Sequence, residues 1–428
     1  MKKMNYVMYM LLGTAFTLTS CVDDDKNLAQ PEEKTTDLNV PADFAWETTR
    51  SVKLTFNESA VNATRLAIYT EESCNEGSLV GALNVFAGQD NSISVDIPES
   101  SKQLYVEYPT QEGTGTFVLS LSNVKSRAND IIEEYVYPLK DVQGLYTFQG
   151  GTDENGLHMV ITSGTLVFED NWPTLGDYDF NDLVADYKVE THYTPGNPDH
   201  YKYERIDVYV TFRAIGGYHP DKLGLQFLGK DNGLFQRLRN KHIARTEGLD
   251  IVTNGITVKL ENKGEEDFPI FIFEGLSSLR NGKDYYNTEK VDDTDLVTVS
   301  FSLYFNLKGD LTASSALTQA AGALNQDFFL ITNEGREIHL KGYGPSALYG
   351  NYDKDLNATN AETAGSDYYC TAKNFVWGMK LPRNFNHPKE KTDISEAYTG
   401  FKGWVESNAD NNQEWYKSPV AGKVISVK

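Results

Sequence analysis

The sequence is poor in cysteine and in positive charge. Three cysteines occur in 428 residues, Cys21, Cys74 and Cys370, and their separation fits neither a disulfide framework nor a zinc site. Lys and Arg total 39 against 61 Asp and Glu, a net charge of −22. Because phosphate backbones repel such a chain and no basic patch is present, we expect no nucleic acid partner. Cys74 and Cys370 could pair in an oxidising compartment, but we expect unpaired thiols.

Motifs of several enzyme classes are also missing. The seven histidines are scattered, without the His-Glu-x-x-His pair of a zinc enzyme. There is no Gly-x-Ser-x-Gly elbow and no phosphate-binding Gly-rich loop. Two carboxylates about 5 to 10 Å apart would serve a glycoside hydrolase, but 61 acidic residues give that pattern little discriminating value. A glycoside hydrolase or other carboxylate-dependent hydrolase is the alternative; we expect a protein that is not an enzyme.

Long apolar runs are absent except near the N-terminus. Lys2 and Lys3 precede an apolar run at 6–18, which is typical of a signal peptide covering 1–20. This run is shorter than the roughly 20 residues that span a bilayer. Residues 18–21, Leu-Thr-Ser-Cys, resemble a bacterial lipobox, in which the cysteine is lipidated. A lipid on Cys21 is therefore the expected attachment to the outer membrane.

The segment after Cys21 is acidic and polar. Residues 22–25, Val-Asp-Asp-Asp, resemble the signal that sends lipoproteins of Bacteroidetes to the outer face of the outer membrane, although acidic tethers also serve solubility alone. Residues 21–40 contain too few large apolar side chains to form a core, so we predict a lipidated, disordered tether. The expected location is the outer membrane, exposed at the cell surface.

Alternating apolar residues predict a mainly β protein. In 41–143, Val52, Leu54 and Phe56 alternate with polar residues, as do residues 93–97, which predicts a small Ig-like β-sandwich. In 144–428, Asn-Gly pairs favour tight hairpins and predict a large antiparallel, jelly-roll-like β-sandwich. Its strand candidates are 160–168, 183–189, 206–212, 256–260, 268–273, 296–307 and 328–331.

One or two short helices interrupt this pattern. An Ala-rich stretch at 313–325 is weakly amphipathic. A second stretch, at 394–407, has an apolar and aromatic stripe at helical spacing, which we expect to pack in the core. Asp393 and Glu396 suit the N-cap and N3 positions of a capping box before and within this helix.

The densest group of metal-ligand candidates lies at 164–187, between two predicted strands. Asp177, Asp179 and Asn181 stand two residues apart, as at the start of known calcium loops. The loop differs from an EF-hand, since Asp182 stands at position six and strands flank it. We predict a calcium site rather than a solvated acidic loop, because so many carboxylates repel each other without a cation. Its predicted ligands are Glu169, Asp170, Asp177, Asp179, Asn181 and Asp182. Asp353, Asp355 and Asn357 repeat the spacing without acidic neighbours.

These residues give the chain a resemblance to the LruC-domain lipoproteins of Bacteroidetes. It covers about 164–416 and rests on the runs at 168–173, 176–184, 335–340, 368–369 and 388–390, with Ile394, Ala397, Tyr398, Phe401 and Trp404. Asn171 and Lys341 depart from the pattern. The resemblance implies a C-terminal domain of unknown function, whose acidic motif is similar to those of extracellular β-sandwich domains that are thought to bind calcium. We expect a binding or adhesion role toward a glycan or a host or partner protein, or a structural role in the envelope.

Overall fold

The structure is a computed structural model. It describes residues 34–57, 64–86, 91–121, 133–146, 157–195, 201–228, 238–305, 325–357, 368–383 and 385–427. The predicted signal peptide, Cys21, the acidic residues 22–25 and the predicted helix at 313–325, apart from Asn325 in a strand, lie outside these residues.

The described residues form nineteen strands. They are β1 (Thr49–Asn57), β2 (Thr64–Tyr69), β3 (Leu79–Val85), β4 (Ser92–Pro98), β5 (Gln103–Pro109), β6 (Thr114–Ser120), β7 (Glu133–Pro138), β8 (His158–Phe168), β9 (Leu183–Pro195), β10 (Tyr201–Ala214), β11 (Pro220–Leu228), β12 (Ile243–Glu247), β13 (Val252–Thr253), β14 (Ile256–Glu261), β15 (Ile270–Glu274), β16 (Val297–Phe305), β17 (Asn325–Thr332), β18 (Glu337–His339) and β19 (Gly378–Leu381). The α-helices are α1 (Tyr352–Asn357), α2 (Ile394–Ala397) and α3 (Gly400–Glu406). Short 3-10 helices are Thr35–Asp37, Glu76–Ser78, Leu139–Asp141, Asn240–His242, Leu276–Arg280 and Trp415–Lys417.

The strands form three sheets. The first has the order β4-β1-β7, and the second, with ten strands, has the order β12-β16-β10-β9-β8-β3-β2-β5-β6, with β19 also paired to β8. The third has the order β13-β14-β15-β11-β17-β18. Only the β1–β7 pair among the described strands is parallel. A hydrophobic core joins residues of all three sheets, among them Val52, Ile68 and Phe271. The predicted mainly β, sandwich-like fold is therefore confirmed.

Side-chain alternation explains the strands that were predicted. In β1, Val52, Leu54 and Phe56 are buried while their neighbours are partly exposed, because successive side chains of a strand point to opposite faces. All seven strand candidates of the C-terminal part lie in or overlap β8, β9, β10, β14, β15, β16 and β17. The Asn254–Gly255 pair forms the predicted hairpin turn between β13 and β14, with positive φ at both residues.

The strands on either side of the predicted boundary at 143/144 belong to one sheet. β3 pairs with β8 through Gly81 and Val160, and a Cβ at Gly81 would lie 2.9 Å from Cδ1 of Ile93. Glycine therefore permits close approach at this junction. The described residues from Lys34 onward group into one compact unit. The two-domain division at this boundary stays a prediction.

Two expectations about the chain ends need correction. Two residues of the predicted disordered tether pack against the rest of the protein: the backbone N–H of Thr35 donates to Oδ2 of Asp393 at 2.8 Å, and Leu38 is buried. The helix expected at 394–407 is two helices, since Tyr398 between them is extended, with φ −140. Asp393 is the N-cap of α2, as predicted, because its side chain accepts from the N–H of Ser395 at 2.8 Å. The prediction of a capping box is wrong, because the Glu396 side chain pairs with Lys423 instead.

The predicted aromatic stripe packs in a second core. Phe401, Trp404 and Trp415 lie edge to face or tilted against one another, with Phe44 and Trp46 from the N-terminal end. Burying each such ring stabilises the fold by about 1.5 to 3 kcal/mol. Cys74 and Cys370 are not joined by a disulfide, and Sγ of Cys370 donates to Oδ1 of Asn374 at 3.1 Å. Among the described residues, no helix has the length and apolar character needed to cross a membrane.

Candidate metal centre

The β8–β9 connection, residues 169–182, carries all six predicted metal ligands. Phe168 at the end of β8 pairs with Leu183 at the start of β9. The two ends of the connection therefore meet, and Glu169 and Asp170 lie next to Asn181 and Asp182. This register explains how acidic residues more than ten positions apart come together.

Aromatic residues fix the connection to the protein. Tyr178 and Phe180 adopt left-handed backbone conformations, with φ of 58 and 50, and their side chains are buried in the second core. Such a conformation costs a non-glycine residue roughly 1–2 kcal/mol, which burial of the ring offsets. Trp172, fully buried, stacks on Tyr352 with ring centroids 5.3 Å apart. The loop is therefore held between two aromatic clusters.

Three of the predicted ligands converge. Glu169, Asp177 and Asp179 each offer a carboxylate oxygen, and these atoms lie within 4.8 Å of one another. Oε1 of Glu169 accepts from the N–H of Phe180 at 2.6 Å. Asp179 accepts from the N–H of Asn181 at 3.1 Å and from the N–H of Lys391 at 2.8 Å. Backbone donors thus orient the two buried carboxylates, and the side chain of Asp177 is exposed.

Three buried side-chain oxygens of the connection have no hydrogen-bond partner within the described part of the chain. They are Oε2 of Glu169, Oδ1 of Asn181 and the hydroxyl of Tyr178. A Cβ at Gly176 would lie 1.8 Å from the first oxygen, and a Cβ at Gly216 would lie 1.9 Å from the second. Glycine backbone therefore closes over both atoms. An unsatisfied buried oxygen costs about 1–3 kcal/mol, so each needs an explanation.

The remaining predicted ligands occupy a neighbouring position. Oδ2 of Asp182 accepts from the N–H of Asp170 at 2.7 Å, and Oδ2 of Asp170 accepts from the N–H of His219 at 2.9 Å. Both carboxylates lie against Gly217, whose carbonyl accepts from Arg280. Asp170 and Asp182 therefore have partners already. The Asn181 side-chain amide donates to the carbonyl of Pro388 at 3.2 Å.

Burial raises the pKa of several of these carboxyls. Burial first, and then the charges of Asp179 and Asp177, raise the pKa of Glu169 well above its usual value. The pKa of Asp179 rises to about 8 because of burial and the charge of Asp177. Burial and the charge of Glu169 also raise the pKa of Asp182. Burial and mutual repulsion therefore disfavour the charged forms of these carboxyls in the absence of a cation, and a bound cation favours them.

Sequence reasoning missed the contribution of a distant segment. Pro388 and Lys391 supply backbone groups to the loop, and Oε2 of Glu390 is another buried oxygen without a donor among the described residues. Burial and the charge of Asp177 raise the pKa of Glu390 to about 7. Residues 388–390 are one of the runs that resemble the LruC-domain lipoproteins. Their position in the sequence did not indicate that they contact the acidic loop.

The second Asp-x-Asp-x-Asn run does not form a comparable cluster. Asp353, Asp355 and Asn357 lie in α1, where residues two apart point to different sides. Asp355 accepts from the hydroxyl of Tyr349 at 2.5 Å.

Asp186, on β9, accepts from the hydroxyl of Thr165 at 2.6 Å and forms an ion pair with Arg213 at 3.3 Å.

A further acidic and histidine cluster was not expected from the sequence. Glu190, His192 and Asp207 place their ligand atoms within 4.8 Å of one another, on the paired strands β9 and β10. However, Lys188 lies 3.0 Å from Glu190 and Arg205 lies 2.7 Å from Asp207. Cations of the protein already neutralise these carboxylates, so we interpret this cluster as an ion-pair network.

The ligand chemistry of the first cluster favours calcium. Calcium binds about 6 to 8 oxygen atoms in a flexible shell, and Glu169, Asp177 and Asp179 offer only oxygen ligands. Softer metals prefer imidazole or thiolate, which this group lacks. The unpartnered oxygens of Glu169 and Asn181 are suited to the same kind of ion.

Comparisons with known proteins match two parts of the chain to family models, and both parts lie outside the connection at 169–182. One family model, described as a domain of unknown function (DUF4842), matches residues 202–416, and another, a domain of unknown function (DUF4841), matches 64–132. No curated protein matches. A crystal structure from Bacteroides ovatus, named a "putative lipoprotein", is 22% identical with a TM-score of 0.67, covering 87% of this chain and all of that one. At this identity the similarity shows a shared fold.

A second solved structure, the major pilin SpaA of Corynebacterium diphtheriae, is 9% identical with a TM-score of 0.14, over 65% of this chain and 69% of that one, which is too low to carry an argument. The DUF4842 match spans half of the chain. The protein therefore belongs to the family defined by the domain of unknown function DUF4842.

Proposed function

We propose that the protein is a lipoprotein of the LruC-domain type, anchored through Cys21 to the outer membrane and exposed at the cell surface. A calcium ion in the β8–β9 connection stabilises its β fold, and the protein acts by binding a glycan or a partner protein. The signal-peptide pattern and the residues around Cys21 support the anchor. The Bacteroides ovatus structure of shared fold carries the name "putative lipoprotein", which is consistent with it.

One observation carries the calcium proposal: the carboxylates of Glu169, Asp177 and Asp179 converge, and Oε2 of Glu169 is buried without a donor in the described part of the chain. Glu169, Asp177 and Asp179 are the proposed direct ligands, with Oδ1 of Asn181 as a further candidate. Asp170 and Asp182 lie outside the converging group and against Gly217, so their proposed role is to hold the Gly217 turn and add negative charge.

The ion would have a structural role. The segment at 388–391 contacts the loop through backbone groups, and α2 follows directly after this segment. Calcium would therefore connect the β8–β9 connection to the C-terminal helices. The converging group contains no histidine and no cysteine that would serve as a nucleophile or proton donor, which favours a stabilising ion over a catalytic one.

The test is thermal unfolding of the full-length protein in detergent, after metal removal, with calcium or magnesium added. A ligand of the native state stabilises it by mass action, by about 2.7 kcal/mol at a concentration 100 times Kd. We expect calcium to raise Tm, with magnesium raising it less because it demands a tighter octahedral shell. Calorimetric titration should show binding over the same concentration range.

Asp177→Asn separates a metal ligand from a structural carboxyl. The Asp177 side chain is exposed, and the amide has nearly the same shape without the negative charge, so the metal-free protein should keep its Tm while the response to calcium is lost. Asp250→Asn is the matched control, since Asp250 is exposed and lies outside the cluster; its calcium response should equal that of the unmodified protein. Unchanged Tm and no heat of binding in the unmodified protein would refute the calcium proposal.

A further inference from the structure

A large polar cleft lies away from the acidic loop. Its volume is about 1290 Å³, and its walls come from β4, β5, β8 and β17 and from the C-terminal residues 380–417. None of the six predicted metal ligands lines it. Small-molecule pockets have volumes of roughly 300–1,000 Å³, so this cleft is large enough for an extended ligand.

The wall of the cleft differs in charge balance from the rest of the chain. Five carboxylates and four cationic side chains line it, although the protein has a net charge of −22. Side-chain hydroxyls and amides of Ser, Thr, Asn and Gln make up much of the remaining lining. A wall with mixed donors and acceptors and little net charge suits a neutral ligand that carries many hydroxyl groups, because each hydroxyl both donates and accepts.

Lys380 and Asp96 are two of the charged residues that line this wall. Nζ of Lys380 donates to the carbonyl of Gln326 at 3.0 Å and lies 5.6 Å from the ring centre of Tyr187. That is its one hydrogen bond to the described residues, and an ammonium group has three donors. Burial lowers the pKa of Lys380, and the charge of Asp96 opposes this effect. Asp96 itself accepts from the hydroxyl of Ser51.

Tyrosines add flat surfaces to the polar wall. Tyr105 and Tyr187 are largely buried, each with an edge at the cleft, and Tyr416 lies at the C-terminal side. A tyrosine ring is apolar on its faces and polar at its hydroxyl, so it contacts both the C–H and the O–H groups of a sugar. This combination of rings, amides and a buried ammonium would be unsuitable for a purely apolar ligand.

We propose that this cleft binds a neutral oligosaccharide, with Lys380 donating to and Asp96 accepting from sugar hydroxyls, and with Tyr416 against a sugar ring. The proposal rests on the binding role proposed above and narrows its ligand from a glycan or a protein to a neutral glycan. It uses no residue of the proposed calcium site. A negative result for one of the two proposals would therefore not count against the other.

The test is calorimetric titration of the full-length protein, in a detergent without a sugar headgroup, with cello-, xylo- and manno-oligosaccharides, an oligogalacturonate and a mixed peptide pool. We expect at least one neutral oligosaccharide to bind and the oligogalacturonate and peptides not to bind. Lys380→Met and Tyr416→Ala should each weaken binding about tenfold, the usual cost of losing one charge-assisted hydrogen bond or one buried ring contact.

Matched controls separate the cleft from a general effect on folding. Lys222→Met and Tyr218→Ala change the same residue types outside the cleft, and they should bind as the unmodified protein does. Tm of every variant checks that the fold is retained. The proposal would be overturned if no neutral oligosaccharide bound, or if only the acidic sugar or the peptides bound. It would also be overturned if the cleft variants and the control variants, all with unchanged Tm, bound with equal affinity.

Discussion

His339 lies fully buried between two carboxylates, Asp327 and Glu337. Its Nδ1 is 2.9 Å from Asp327 and its Nε2 is 3.0 Å from Glu337, and its ring stacks on Phe329 with centroids 4.2 Å apart. With an acceptor at each nitrogen, the ring is best satisfied as the imidazolium, since only that form donates from both. Burial opposes the charge, but Asp327 and Glu337 raise the pKa of His339 to about 9.

The raised pKa predicts a pH-dependent stability. Because the folded value is above the unfolded one, the charged ring stabilises the fold fully below pH of about 6.5, and this contribution is lost as pH rises through about 9. We expect urea unfolding to show a decrease of roughly 3 kcal/mol between these limits. His339→Gln should be less stable at pH 6 and should not show this decrease.

The control for this prediction is His219→Gln, since the His219 side chain is substantially exposed and pairs with the equally exposed Glu334. It should keep the pH dependence of the unmodified protein. An identical pH dependence in His339→Gln would show that other groups cause the effect.

The β8–β9 connection depends on a glycine that no side chain can replace. A Cβ at Gly176 would lie 1.8 Å from Oε2 of Glu169, and Oε1 of that carboxylate is held by the N–H of Phe180. Gly176→Ala therefore has to displace the Glu169 carboxylate from its position beside Asp177 and Asp179. We expect a loss of about 1–3 kcal/mol in the free energy of unfolding, typical of overpacking, together with a weaker response of Tm to calcium.

Gly350→Ala is the matched control, because a Cβ there would meet nothing within 4 Å. Urea unfolding with and without calcium compares the two variants. If Gly176→Ala behaved like Gly350→Ala, the close packing of the loop around Glu169 would not be important for stability.

For the whole molecule, the proposed lipid anchor predicts where the chain is found. Replacing Cys21 by Ala removes the thiol that would carry the lipid, and no helix among the described residues is long and apolar enough to cross a bilayer. We expect the unmodified protein in the membrane fraction, labelled by a fatty acid, and Cys21→Ala in the soluble fraction without label. Cys74→Ala is the control and should stay in the membrane fraction.

Protease treatment of intact cells tests the orientation. Surface exposure predicts that the protein is degraded while a periplasmic marker survives. Protection of the protein until the outer membrane is opened would place it on the inner side and contradict the surface assignment.

Elements with a local pattern were predictable. The alternation of Val52, Leu54 and Phe56 reports burial of one strand face directly, and each C-terminal strand candidate coincides with an observed strand. Short strands such as β13, β18 and β19, with two to four residues, were missed because they are too short to show a period. The single helix expected at 394–407 was wrong because its stripe continues across Tyr398, where the backbone is extended.

The sequence by itself determined the strands with a local pattern and the oxygen ligands that the acidic loop offers, since strand alternation and oxygen-ligand type are properties of neighbouring residues. Tertiary structure decided which oxygens converge: Glu169, Asp177 and Asp179 meet, whereas Asp170 and Asp182 lie against Gly217. It also brought Lys391 to the loop and Lys380 to Gln326. These partners are far apart in the chain, so only the packing of sheets and the C-terminal segment brings them together.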